Sequence, residues 1–170
     1  QMGVERILAR EHELMSILWE GLSQVPGIRI LAEQHRARLG VLSFCFDNLH
    51  YNLAVRILND RFGIQVRGGC SCAGTYGHYL LGISPDSSSS ILCDINGGHV
   101  MSRPGWVRAS IHPTMTDAEA RRIIEAVTWI AEHHEECNEL YRQIGDSNEF
   151  ESVASSTPDT PNVASWFAEV

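Results

Sequence analysis

The chain has 170 residues, is 44% apolar and 20% charged, and carries a net charge of −8, values that fit one compact globular domain. An acidic balance with no basic run excludes a nucleic-acid surface, and no stretch approaches the ~18 uninterrupted apolar residues of a membrane span. Lysine is absent, since all 13 basic residues are arginine, so chemistry that needs a Schiff-base lysine cannot be completed by these residues alone.

In chain order, Gln1 to Arg10 is charged and helix-like, which does not fit a secretory signal. A helix is predicted from Gly3 to about Ser23, with Val4, Ile7 or Leu8, Met15, Leu18 and Leu22 on one stripe. Pro26-Gly27 breaks it. Ile28 to Leu31 reads as a short strand, Ala32 to Gly40 as a polar connection, and the β-branched and aromatic run Val41 to Phe46 as a second strand. Asp47 or Asn48 can cap the next helix, whose face is Tyr51, Ala54 or Val55, Leu58 and Phe62, with Gly63 as a left-handed stop. Ile64 to Arg67 reads as a third strand and Gly68 to Gly74 as a Gly- and Cys-rich turn, followed by a short helix through Leu81.

Ser84 to Gly105 is rich in Ser, Asp and Gly and is predicted to be a loop with one helical turn around Ser87 to Cys93. Trp106 to Ile111 alternates, with Val107, Ala109 and Ile111 on one side and Trp106, Arg108 and Ser110 on the other. Thr116 and Glu119 form a capping box for a helix running past His134, with Ile123 or Ile124, Val127 and Ile130 or Ala131 inward. The order of elements predicts an α+β fold, with helices on one side of a small, mostly antiparallel sheet. Residues 1–145 are assigned to the domain, and residues 146–170 to a polar acidic tail, poorly ordered, in which Trp166 and Phe167 could dock.

Two segments carry candidate chemistry. In Val66-Arg67-Gly68-Gly69-Cys70-Ser71-Cys72, a strand delivers an arginine, then two glycines that permit a sharp turn, then two thiols. A guanidinium near a thiol stabilises the thiolate that a nucleophilic or sulfur-carrying cysteine needs; the plainer reading makes both cysteines small packing residues. In Gly105-Trp106-Val107-Arg108-Ala109-Ser110, a mid-strand Arg108 can fork onto a substrate carboxylate, or form a salt bridge at a sheet edge. Cys70, Cys72 and His78 lack the second ligand pair of a structural zinc site, so no metal is assigned. His112, His133 and His134 read as surface or helix-end residues. The five cysteines, odd in number and irregularly spaced, suit reduced thiols in a cytoplasm.

Together the two segments carry a resemblance. A strand ending in Val-Arg-x-Gly-x-x-Cys-Ala, with Gly-Trp-Val-Arg-Ala-Ser further on and a helix opening Thr-x-x-Glu, resembles the C-terminal small domain of the class V aminotransferases. That family includes cysteine desulfurases, molybdenum-cofactor sulfurases and selenocysteine lyases. The resemblance spans roughly Met2 to Gly145 and implies the small-domain fold of fold-type I pyridoxal-phosphate enzymes. It implies that Cys72 is the loop cysteine that, in desulfurase-type members, attacks the sulfur of cofactor-bound cysteine and becomes a persulfide. It implies that Arg108 grips the α-carboxylate of an amino-acid substrate, with Arg67 in support at the mouth of the site. It further implies pyridoxal phosphate held on a lysine of a large domain absent from this chain, and a homodimer for the full-length enzyme. On that view these residues neither bind the cofactor nor turn over by themselves. A transaminase, lyase or epimerase would use Arg108 without needing Cys72. Readings from other classes are a thiol- or metal-binding module built on Cys70, Cys72 and His78, and an interaction domain without catalysis.

Overall fold

The computed structural model describes residues 3–70 and 74–154. Four short strands form one fully antiparallel sheet in the order β1 (Ile28–Ile30), β2 (Val41–Phe46), β4 (Trp106–Ser110), β3 (Arg67–Gly69). The expected strand at Val41 to Phe46 forms as β2, with Leu42, Phe44 and Phe46 buried while Val41, Ser43 and Cys45 turn to the other face. On β4, Val107 and Ala109 join the same buried face. β4 is an inner strand, so Arg108 is not an edge residue.

The buried face is covered by three helices: α1 (Val4–Leu22), α2 (Tyr51–Phe62) and α5 (Asp117–Glu132). In α1 burial is confined to the second half, at Leu14, Met15, Leu18, Trp19 and Leu22. Each such side chain contributes about 1.5–3 kcal/mol when fully removed from water. Val4 and Leu8, on the expected stripe, stay exposed. α5 supplies Ala120, Ile123, Ala126, Val127 and Ile130, and its capping box forms as predicted. Thr116 N and Thr116 Oγ1 donate to Glu119 Oε2 at 2.7 Å and 2.9 Å, which holds the Glu119 carboxyl below the usual range, and Glu119 N donates to Thr116 Oγ1 at 3.2 Å.

Several boundaries differ from expectation. α2 is capped by His50, whose Nδ1 accepts from Asn52 N at 3.2 Å, not by Asp47 or Asn48. β3 begins at Arg67 instead of ending there, and Ile64 and Val66 pack against the core without joining the ladder. Gly68 stands where α2 crosses closely: a Cβ there would collide with Asn52 and sit 3.0 Å from Tyr51 Cδ2, while Gly69 takes a positive φ of 108°. The expected Ser-rich loop contains a 12-residue helix, α4 (Pro85–Asn96), capped by Ser84 with Pro85 in its first turn. The last long helix stops at His133, and α6 (His134–Leu140) follows.

Residues 146–152, expected to belong to the tail, instead help close a hairpin of β5 (Tyr141–Gln143) and β6 (Phe150–Ser152). The hairpin is tied to the start of α2. Asn52 Nδ2 donates to the Asn148 carbonyl at 2.7 Å, Asn148 Nδ2 donates to Tyr51 Oη at 3.2 Å, and the His50 ring lies 5.4 Å from that of Phe150. Trp166 and Phe167 lie outside the described residues.

Candidate functional site

The face of the sheet turned away from α1, α2 and α5 carries the candidate site. β3 and β4 pair so that Arg67 stands opposite Arg108, and β2 pairs so that Ser43 stands opposite Arg108 from the other side. Opposed residues of an antiparallel pair share a face. The row Ser43–Arg108–Arg67 therefore crosses three strands on the open side. Two residue pairs further along, Trp106 on the same face stands opposite Gly69.

Among the described residues, neither Arg67 nor Arg108 is in a salt bridge; the five pairs present involve Arg10 twice, Arg56, Arg61 and Arg142. Arg67 is exposed and Arg108 half-buried. Arg108 Nε and Trp106 Nε1 are both cut off from solvent and have no hydrogen-bond partner. A buried donor left without a partner costs about 1–3 kcal/mol. Two such donors two residues apart on one strand mark a place where the fold has left polar capacity unused. Sequence alternation had put Trp106 beside Arg108 but gave no reason to single out its indole.

Over this floor lies an open groove of about 530 Å³ lined by Leu31, Ala32, His35, Arg38, Leu39, Val41, Ser43, Tyr76, Leu80, Trp106 and Arg108. One wall is the connection after β1, the other is α3 (Gly74–Leu81), which rises beside the open face.

Behind the floor, α2 fixes β3 and the approach to β4. An added Cβ at Gly105 would lie 2.6 Å from Tyr51 Cε1 and 2.8 Å from Gly69 Cα. Burial pushes the Tyr51 phenol up, and the hydrogen bond from Asn148 offsets part of that. Cys70, immediately after β3, is half-buried. Cys72 lies outside the described residues. The Cys45 thiol, with its Sγ 4.0 Å from the Gly105 carbonyl, is pushed up by burial, and so is that of Cys137, which suits packing more than nucleophilic roles.

Among the described residues no group of three His, Cys, Asp or Glu is placed to hold a metal ion. His133 and His134 sit at the end of α5: the His133 ring stacks on Trp129 at 4.3 Å, and Nδ1 of each approaches a helix carbonyl. His112 Nδ1 lies 2.7 Å from Thr114 Oγ1 in the turn after β4. None of the described helices is long and apolar enough to cross a membrane.

The fold and the face define an α+β layer with one side packed by helices and the other open and cationic. The family model for class V aminotransferases matches residues 1–123, and the chain belongs to that family. It is 34% identical over 73 residues to a probable cysteine desulfurase 2 of Mycobacterium leprae, covering 42% of this chain and 17% of that protein. It is 33% identical over 92 residues to a probable cysteine desulfurase of Synechocystis, covering 53% of this chain and 21% of the relative. It is 40% identical over 74 residues to a cysteine desulfurase of Synechococcus elongatus, covering 43% and 11%. The matched segments thus span about a fifth or less of these relatives. The crystal structure of the Escherichia coli cysteine desulfurase CsdA aligns with a TM-score of 0.49 at 21% identity, covering 73% of this chain and 25% of that one.

Proposed function

We propose that this chain holds the C-terminal small domain of a pyridoxal-phosphate-dependent class V enzyme acting on an amino acid, and that it supplies the grip on the substrate. The observation that carries this reading is Arg108: an inner-strand arginine on an open face, opposite a second arginine, without an acidic partner among the described residues. A guanidinium in that setting is available to hold a carboxylate through two parallel hydrogen bonds. Arg67, at the exposed outer strand, adds positive potential at the mouth and favours entry of an anion.

The residues present do not fit the covalent seat of the cofactor. The 170 residues include no lysine, and the open face offers arginine, indole and aliphatic groups. The lysine and the phosphate-binding surface then belong to a large domain outside these residues, and the chain by itself is inactive. Such a domain, closing over the groove, would exclude water from the carboxylate and fix its orientation. The full-length enzyme is a cytoplasmic homodimer on this reading.

The test is Arg108→Ala in the enzyme that includes the cofactor-holding part. Substrate use falls more than tenfold while cofactor absorbance persists; unchanged activity would overturn the clamp. The similarity to proteins named as cysteine desulfurases favours a sulfur-transfer version with Cys72 as acceptor. In that version Cys72→Ala abolishes sulfide release from cysteine and spares any transamination, whereas loss of both together, or of neither, rejects it.

A further inference from the structure

The hairpin of β5 and β6 lies beyond the family-matched segment of residues 1–123 and is fastened to the start of α2 at one cluster. Asn148, in its turn, takes Asn52 Nδ2 on its carbonyl and donates its own Nδ2 to Tyr51 Oη. Phe150 of β6 faces the His50 ring, which also lies 4.2 Å from the Tyr51 ring. Tyr141 and Phe150 lean on the core, and Tyr141 Oη approaches Asp60 Oδ2 at 3.4 Å further along α2. A two-stranded hairpin has marginal stability by itself, so its order depends on these contacts.

Tyr51 is 9% exposed, and its ring is a wedge behind the β3–β4 pair. A Cβ at Gly68 would lie 3.0 Å from Tyr51 Cδ2, and one at Gly105 would lie 2.7 Å from Tyr51 Cζ and 2.8 Å from Gly69 Cα. Gly68 and Gly105 thus leave room for the phenol at the strand ends that lead to Cys70 and Arg108. The hydroxyl of that phenol is held by Asn148, so the hairpin sets where the wedge sits.

His50 supports the cluster only while neutral. Its Nδ1 must be unprotonated to accept from Asn52 N, and its Nε2 is sealed from solvent with no partner. A proton on Nδ1 removes the cap, sets a positive charge at a helix N-terminus and leaves that charge half-buried. The faces of Tyr51 and Phe150 attract a cation, one effect against three. The titratable and charged groups around the ring are Tyr51 with Cys70 and Arg103 on the α2 side, and Glu149 and Glu151 beside Phe150, with Glu151 already paired to Arg142. None of them acts on the imidazole, which is lowered by burial alone. We infer that the β5–β6 hairpin is a strap that holds the Tyr51 ring, and with it the strand ends beside Cys70, and that a proton on His50 releases it. The strap is a device of the fold and is independent of what the open face binds.

The experiment is hydrogen exchange of the 170-residue chain, read by mass spectrometry at about pH 8 and about pH 5, either side of the charge change of histidine. Protection is corrected for the chemical exchange rate at each pH. Residues 144–152 are expected to lose protection at least roughly fivefold at the lower pH, the worth of one helix cap. Residues 67–69 and 106–108 lose protection with them, whereas α5 keeps its own. His50→Asn, which caps without titrating, abolishes the pH difference. Asn148→Ala lowers protection of the hairpin and of residues 67–69 at both pH values, again with α5 unchanged. A hairpin equally protected at both pH values, or one still pH-dependent in His50→Asn, overturns the release. A hairpin that opens while residues 67–69 stay protected overturns the hold on the strand ends. Equal loss of protection in α5 marks global unfolding and overturns the strap as a local device.

Discussion

Arg67 and Arg108 are directly opposed across β3 and β4 and share one face of the sheet. Like charges in that relation destabilise a sheet by about 0.2–1 kcal/mol. Removing the exposed partner with Arg67→Gln is therefore expected to stabilise the chain by several tenths of a kcal/mol at low salt. The gain shrinks as ionic strength approaches ~1 M, where the screening length is ~3 Å. Urea unfolding at low and high salt measures it, and a loss of stability at low salt would show that Arg67 is held by favourable contacts instead.

Ala32 is the only non-glycine residue with positive φ among the described residues. A left-handed conformation costs an L-residue about 1–2 kcal/mol, part of which glycine recovers at the expense of chain entropy. Ala32→Gly should be neutral to stabilising by up to about 1 kcal/mol, and Ala32→Val destabilising by about 1–2 kcal/mol. Denaturant midpoints at unchanged slope test both substitutions.

His50 gives the fold a dependence on pH. Its Nδ1 must be unprotonated to accept from Asn52 N, and burial holds the imidazole below its ordinary 6.5. As pH falls below that value the unfolded chain takes up the proton first. Stability present above it is therefore lost as pH drops through the lower, folded-state pKa. His50→Asn keeps a capping acceptor without the titration. Its unfolding midpoint should vary less than the parent's between about pH 8 and pH 5, the range in which histidine changes charge. Parallel pH profiles would remove His50 from the account.

Gly105 has no room for a methyl group, with Tyr51 on one side and the Gly69 backbone on the other. Gly105→Ala is expected to cost about 1–3 kcal/mol through overpacking. Because the shift falls between β3 and the start of β4, the variant should also weaken carboxylate binding at Arg108. A fully stable variant with intact binding would show that the strands part without consequence.

Alternation on β4 was legible in the sequence, because a half-buried strand writes its two faces into every second residue, and β2 was legible as a β-branched and aromatic run. The capping box of Thr116 and Glu119 was equally plain, since both partners are local. Long-range contact hid the rest. The proximity of Tyr51 and Asn52 at Gly68 and the positive φ at Gly69 show why glycines stand in the ladder, and neither is visible from Ile64 and Val66, the better strand formers. Of α4 only one turn, around Ser87 to Cys93, was legible, because its serines have weak helix propensity and none of its residues is buried, so no apolar stripe marks its full length. The hairpin at Phe150 depends on Asn148 meeting α2, which no local pattern encodes. At the site, Arg67 and Arg108 were both singled out from their motifs, whereas their opposition and the unpartnered indole of Trp106 required the fold.

The alternation within β4 ties two destinies together. Val107 and Ala109 are sealed in the core while Trp106 and Arg108 look outward, so a slip of one residue would bury the guanidinium and expose the valine. The placement of the anion-seeking group is thus as durable as the hydrophobic interior itself. The strand that presents the arginine cannot be re-registered without opening that interior to water.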